Sequence, residues 1–483
     1  MTKEQMELLQ EPAFHWFHEI SQVPRPSMQE TQISAWLLHW AQDRGLEAVR
    51  DASNNVFIRK AASSGYENAP AVMLQAHMDM VCEKAPGVEH DFLRDPIQWQ
   101  IEGDRITTGG RTTLGADDGM GVALALAVLD DDTLPHPPLE VLFTTAEEED
   151  FSGAANFDTA RMAARRLINL DHACDKQVLC GSCGGMAVEF TAPVAAEPVP
   201  AGWRAYTLNV SGLHGGHSGE DIHRGHGSAV TLLARAIAAL EAAMPLKLGP
   251  VTGGTFRLAI PREGWATVLI PAESQAEAED ILAAQQAEMA QEFAITGHEL
   301  SVTLEPTECP DWCAPAQPLL DGVFLMPDGI FQMNEALVGL VDTSDNLGEL
   351  YLTRGELRMV LEARSARPSV GNYLLQRIAR LARILGGTWH ADRAYPSWDF
   401  HPESPLRSIA GAAYERLFGS QPEYLTVHAG LETGFFSVKL PDLDAISIGP
   451  DCWNFHSPSE QMSISSTRRV YQFLCEILAQ CQS

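Results

Sequence analysis

Basic residues are scarce in this chain: 33 Lys and Arg stand against 64 Asp and Glu in 483 residues, a formal net charge of −31. Such a surface repels phosphate backbones and anionic membranes, so neither nucleic acid nor a membrane is expected as a partner. Long apolar runs are also missing. None approaches membrane-spanning length, and the opening stretch MTKEQMELLQEPAFHW has no apolar signal core, so a cytoplasmic protein is expected. Cysteine is sparse: nine residues, an odd number scattered through a large chain, fit reduced thiols. The pairs CGSC (Cys180 to Cys183) and CPDWC (Cys309 to Cys313) are far apart and lack the spacing of a compact zinc ribbon or finger. Free cysteines are expected there. No repeat of solenoid period is visible.

What is present is ordinary globular composition, 45% hydrophobic and 20% charged. The length exceeds what one core supports, so two or three domains are expected. The first 45 residues read as two amphipathic helices broken at Pro24-Arg25-Pro26. A hairpin follows in EAVRDASNNVFIRKA, with Asn54-Asn55 as its turn. Strands and helices then alternate: AVMLQAHMDMV (71–81), a helix from about Asp118 through GVALALAVL, LEVLFTT (139–145) and RLINLDHA (166–173). This alternation predicts an α/β domain with a mainly parallel central sheet covered by helices on both faces. After Gly185 the texture changes to Ala-rich helices (229–244, 273–291) and strand-like runs such as ELSVTLEP and ELRMVLEAR, an inserted α+β domain. The expected limits are 1–184 with 401–483 for the first, discontinuous domain and 185–400 for the insertion. After the insertion come a helix from about Pro405 to Phe418, a strand DAISIGP and a final helix Ser465 to Cys481.

In VLFTTAEEEDFSGA, four consecutive acids, Glu147 to Asp150, sit directly on the end of an apolar strand. An acid run is usually a solvated loop, but this one has company. His77, Asp79 and Asp171 also fall at the carboxyl ends of strands, where ligands of such sheets collect. The candidate ligands are His77, Asp117, Glu148, Asp171 and His456. Singly, each has a plain structural alternative: Asp117 or Asp118 as a helix cap, His77 as a core histidine, Asp171 as a turn residue, His456 as a loop residue. Together they form an N/O donor set without cysteine, suited to zinc, manganese or cobalt. Five ligands exceed the need of one open catalytic ion and suit two ions sharing a carboxylate.

AHMDMV (76–81), GADDG (115–119), TAEEED (145–150), LINLD (167–171), GGHSGEDIH (215–223), HAGLE (428–432) and FHSPSE (455–460) resemble, in order, the motifs of the dinuclear-zinc dipeptidase/carboxypeptidase superfamily. The similarity is greatest to its aminoacyl-histidine dipeptidase branch, which hydrolyses Xaa-His dipeptides including carnosine. The resemblance implies a metallo-dipeptidase with two divalent ions, zinc or else manganese or cobalt. Asp117 would bridge them, with His77 and Asp171 on one and His456 and Glu148 on the other. Glu147 would be the general base, and Asp79 would orient His77. Asp118 is assigned to helix capping, and Glu149 and Asp150 to solvent or a helix start. The insertion would be a lid and dimerisation domain in a homodimer, its His217 stabilising the oxyanion from the neighbouring subunit. Arg364 would bind the substrate's terminal carboxylate, while His428 and Glu432 would line the specificity pocket.

Two stretches depart from the pattern. Leu258 in GGTFRLAIPRE stands where the superfamily commonly has an asparagine donor, and RSARPS differs after the arginine. Within the superfamily the competing activity is an aminoacylase or other amide hydrolase. Outside it, the competing reading is a non-catalytic metal- or peptide-binding protein.

Overall fold

The run Leu139–Thr144 is apolar or β-branched apart from Glu140, and all six of its residues are buried, as are all six of Val72–His77. Side chains alternate between the faces of a strand, so complete burial means the sheet is covered on both sides. In the computed structural model, which describes residues 2–297, 299–335 and 339–482, these strands lie side by side and parallel within an eight-stranded sheet. Its order is 47–50, 56–60, 139–144, 72–77, 166–169, 444–447, 177–182 and 423–427. The strands from 139–144 to 444–447 are parallel neighbours. The hairpin 47–60 and strand Gln177–Ser182 pair antiparallel beside them. The sheet is therefore mixed: parallel at its centre, with 423–427 running parallel to 177–182 at one edge, where the Glu423 N–H donates to the Lys176 carbonyl and the Cys183 N–H to that of Val427.

The helix Ala116–Asp130 helps bury this centre. Its sequence is apolar all round, every residue from Asp118 to Leu129 is buried, and it packs on both helix Pro12–Ser21 and strand Val72–His77. Ahead of the hairpin lie three helices, Lys3–Leu8, Pro12–Ser21 and Thr31–Asp43, and the break at Pro24 to Pro26 separates the last two. The hairpin turns with Asn54 at φ 65°. Helix Pro405–Phe418 starts on a Ser404 cap and stops at Gly419, and it packs against helix Ile464–Gln480.

The chain forms two compact units. The first comprises residues up to Ser182, Trp398–Thr426 and Leu431 onward; the second comprises Cys183–Ser397 and Val427–Gly430. That short return to the second unit lies outside the 185–400 expected from composition. The second unit is built on a ten-stranded sheet whose main path runs 301–306, 203–211, 264–271, 247–253, 341–353, 356–365, 184–193 and 388–395. Every one of these neighbours pairs antiparallel. Helix Ala229–Ala243 lies on this sheet and against helices Gln275–Glu292 and Gln317–Leu325. Among the described residues no helix is long and apolar enough to cross a membrane, and all nine cysteines are free.

Candidate metal centre

The strand ends deliver their side chains to one place in the first unit. His77 is the last residue of its strand, and Asp171 lies two residues beyond Asn169. His77 Nε2 is 3.0 Å from Asp117 Oδ1 and 3.9 Å from Asp171 Oδ1. On the other side of the same carboxylate, Asp117 Oδ2 is 3.5 Å from His456 Nε2, which also lies 2.9 Å from Glu148 Oε2. The two oxygens of Asp117 thus face two different histidines. Three overlapping ligand groups result: His77 with Asp117 and Asp171, His77 with Glu147 and Glu148, and Asp117 with Glu148 and His456. Within each, the donor atoms lie within 4.8 Å of one another. The expected ligands come together.

Asp79 explains how acids are held on the end of a core strand. It lies 3.4 Å from His77 Nδ1. Its Oδ1 accepts the Glu147 N–H at 3.1 Å, and its Oδ2 accepts the Glu148 N–H at 3.3 Å. One buried carboxylate therefore steadies both a histidine ring and the backbone of the acid run. The chain does not leave the strand extended, as alternation alone would have it: Ala146 takes φ 56° and Glu147 to Asp150 form a turn. That turn aims Glu147 and Glu148 differently, with Glu147 Oε2 4.0 Å from His77 Nε2 and Glu148 at His456. Glu149 and Asp150 are exposed, and Asp150 accepts the Ser152 N–H at the start of helix Ser152–Asn156. Asp118 accepts the N–H of Gly121 at 3.0 Å, a capping contact, and also that of His77 at 3.1 Å.

The electrostatics are those of crowded acids. Burial, together with neighbouring carboxylates, pushes Glu147 and Asp171 well above the usual carboxylate range and Glu148 up to about 7. Burial also works against ionised Asp117, yet His456 and His77 hold its carboxyl well below that range. Burial opposes charge on His456 too, but Asp117 and Glu148 raise it to about 11. Such a set of oxygen and imidazole donors, more acids than cations can balance, fits divalent ions.

Several supporting residues escaped the sequence reading. Arg25, fully buried, donates from Nη1 to the carbonyls of Met78 (3.2 Å) and Asp79 (3.0 Å), and from Nη2 to that of Gly115. Ser27 donates to Asp79 Oδ2 at 2.8 Å, and Glu30 accepts the Ala146 N–H at 3.0 Å. The segment PRPSMQE, visible in the sequence only as a helix break, thus touches all three loops bearing HMD, GADD and AEEE. Gly115, at φ 67°, leaves room for the arginine that a side chain would fill. Glu460 accepts backbone N–H groups of Leu114 (2.7 Å), Gly115 (2.9 Å) and Ala116 (2.8 Å), tying the FHSPSE loop to the approach to Asp117.

The remaining sequence candidates divide between the units. Glu432 is in the first: its Oε2 accepts from Gln75 and Thr144, both at 2.6 Å, while Oε1 is buried without a hydrogen-bond partner. His428, only four residues earlier, is in the second unit, where its Nε2 pairs with Ser344 Oγ at 2.7 Å. Burial, with Arg364 nearby, lowers its imidazole to about 3. Arg364, also in the second unit, is buried and donates to Tyr395 and Ser218. His217 Nδ1 accepts the N–H groups of Gly219 (3.3 Å) and Glu220 (3.1 Å), which puts the proton of a neutral ring on Nε2. Leu258 lies beside it through a backbone bond from Ser218 to the Leu258 carbonyl at 2.8 Å.

Known proteins match nearly the whole chain. Residues 73–480 match the peptidase family M20/M25/M40. The cytosol non-specific dipeptidase of Escherichia coli K12 is 35% identical over 475 residues, 98% of either chain. The crystal structure of aminoacylhistidine dipeptidase from Vibrio alginolyticus superposes with a TM-score of 0.85 at 32% identity, covering 97% of this chain and 96% of that one. Aminopeptidase PepT from Bacillus cereus shares the fold alone, with a TM-score of 0.57 at 17% identity over 98% of this chain and 99% of the other. On the extent of these matches, the chain belongs to peptidase family M20/M25/M40 and is an enzyme, a hydrolase of peptide bonds.

Proposed function

We propose that the protein is a dinuclear metallo-dipeptidase of the cytoplasm that cleaves small dipeptides, Xaa-His among them and β-Ala-His (carnosine) included. The observation that carries this is the division of Asp117, one oxygen toward His77 and the other toward His456. A carboxylate so placed suits two ions, His77 and Asp171 completing one site and Glu148 and His456 the other. Zinc is the expected ion, with manganese or cobalt as substitutes for the same donors. When bound, such ions supply Lewis acidity to the scissile carbonyl and to the attacking water. Glu147 takes the proton of that water and passes it to the leaving amine, and its place beside His77, with its backbone held by Asp79, suits that role. Asp79 keeps the His77 ring and the Glu147 backbone in register.

In the second unit, His217 presents Nε2–H to the oxyanion, acting from the neighbouring subunit of a homodimer, and Arg364 receives the terminal carboxylate. His428 and Glu432 contribute to specificity, Glu432 through a buried Oε1 that has no hydrogen-bond partner of its own. The names of the two nearly full-length relatives, one non-specific and one aminoacylhistidine dipeptidase, support dipeptides as the substrate class. A panel of dipeptides and N-acyl amino acids, assayed with added Zn²⁺, Mn²⁺ or Co²⁺, tests the reading. Metal-dependent cleavage of free-amine dipeptides is expected, with Xaa-His among the better substrates. Faster hydrolysis of N-acyl amino acids would replace it with an aminoacylase.

A further inference from the structure

On strand Glu356–Ser365, Glu362 and Arg364 are two residues apart and project to the same face. Both are buried, with 1% and 3% exposure. A buried guanidinium beside a buried carboxylate ordinarily forms a direct ion pair. Here it does not. Glu362 Oε2 lies 2.9 Å from Arg257 Nε, and Glu362 Oε1 accepts the Tyr395 hydroxyl at 3.0 Å. The same phenolic oxygen accepts from Arg364 Nη1 at 2.6 Å. Arg364 Nη2 donates to Ser218 Oγ at 3.2 Å, the buried Cys183 thiol also lies against the guanidinium, and Nε is buried without a hydrogen-bond partner. Among the described residues no carboxylate reaches ion-pair distance of this guanidinium.

The strand register makes the arrangement possible. Arg364 is level with Gly185, and Gly185 is level with Tyr395 on the next strand. The tyrosine lies across the glycine, where an added methyl group would overlap its hydroxyl. A pocket of about 190 Å³ opens at this row, lined in part by Gly185, Arg364, Ser365 and Tyr395.

We propose that Tyr395 is a positioning and specificity residue. Its hydroxyl stands between Arg364 and Glu362, fixes the guanidinium, and denies it the internal carboxylate. Arg364 is thereby kept for an anionic group of the ligand, which in the function proposed above is the terminal carboxylate of the dipeptide.

KM and kcat are to be measured on L-Ala-L-His and its C-terminal amide. Arg364→Ala comes first and must erase the preference for the acid over the amide; if it does not, the role of Arg364 fails, whatever Tyr395 does. Given that loss, Tyr395→Phe is expected to raise KM for the acid about tenfold while kcat and the amide kinetics stay near wild type. Adding Glu362→Gln to Tyr395→Phe should recover most of that KM, because no internal carboxylate then competes. Equal losses on acid and amide, an unchanged KM, or a double variant no better than the single would each overturn the proposal. Glu362→Gln alone, with the phenol in place, supplies an arm that does not depend on Tyr395→Phe folding. Its KM for the acid should stay at or below the wild-type value, and a tenfold rise would show that Glu362 supports the clamp instead of competing for it.

Discussion

Glu147 and Glu148 are chemically alike and adjacent, so only their surroundings can give them different work. Glu148 faces His456 at 2.9 Å, whereas Glu147 stands 4.0 Å from His77. Glu147→Gln should therefore keep both ions and lose ~10²–10⁴-fold in kcat. Glu148→Gln should lower metal content at one site, and elemental analysis of the two purified variants separates the outcomes. Equal metal loss would make both residues ligands. Glu432 allows a pH prediction. Burial raises its carboxyl from 4.5 to about 7, so folding favours the protonated form. The stability this contributes is full below pH 4.5 and is lost as pH rises through about 7. In metal-free protein the loss is about 3 kcal/mol, from the size of the shift. Glu432→Gln should flatten the fall in unfolding free energy between pH 5 and pH 8. A fall of unchanged size would place the titration elsewhere.

Among the elements, two irregular segments organise the centre. Arg25, Ser27 and Glu30 grip three ligand-bearing loops, and Glu460 holds another, the FHSPSE loop, to the turn before Asp117. In that loop Asn454 and His456 take φ 58° and 56°, a conformation uncommon for histidine that needs support from its surroundings. Glu460→Gln cannot accept from all the N–H groups that a carboxylate satisfies, and its amide would set a donor against donors. Affinity for Co²⁺, read from the visible absorption of the bound ion, is expected to fall ~10–100-fold, the usual cost of removing a group that orients ligands. Unaltered Co²⁺ affinity would reduce Glu460 to a loop tie with no bearing on the metals. None of these contacts was legible in the sequence. They run mostly to backbone amides and carbonyls, and a side chain that binds backbone leaves no partner residue to recognise. His77, Asp117 and Asp171 were legible because they sit at or just past an element's end, where the periodicity of the flanking residues marks the boundary, whereas His456 lies within a loop and was marked only by its motif.

For the whole molecule, the open question is whether a site is completed by a second copy. In the proposed homodimer His217→Ala and Glu147→Gln are each expected to lose nearly all activity, but they impair different subunits' contributions to a site. Mixed dimers would contain one site with both groups intact. Refolding an equimolar mixture, with two affinity tags to isolate the heterodimer, should restore a substantial part of wild-type activity. Heterodimers as inactive as their parents would place His217 within its own chain's site or outside catalysis.

By itself the sequence determined the elements and their chemistry. The strand LEVLFT and the all-apolar internal helix GVALALAVL follow from composition and periodicity, though the burial of Glu140 does not, and the ordered motifs point to an N/O donor set. Such properties are local, set by propensity and periodicity within a dozen residues. Tertiary structure alone decided which oxygen of Asp117 meets which histidine, and that the neighbours His428 and Glu432 belong to different units. It also decided that Arg364, Gly185 and Tyr395 share one row of a sheet, though Gly185 and Tyr395 are over two hundred residues apart. Register between distant strands depends on how whole faces pack, and no short stretch contains that information.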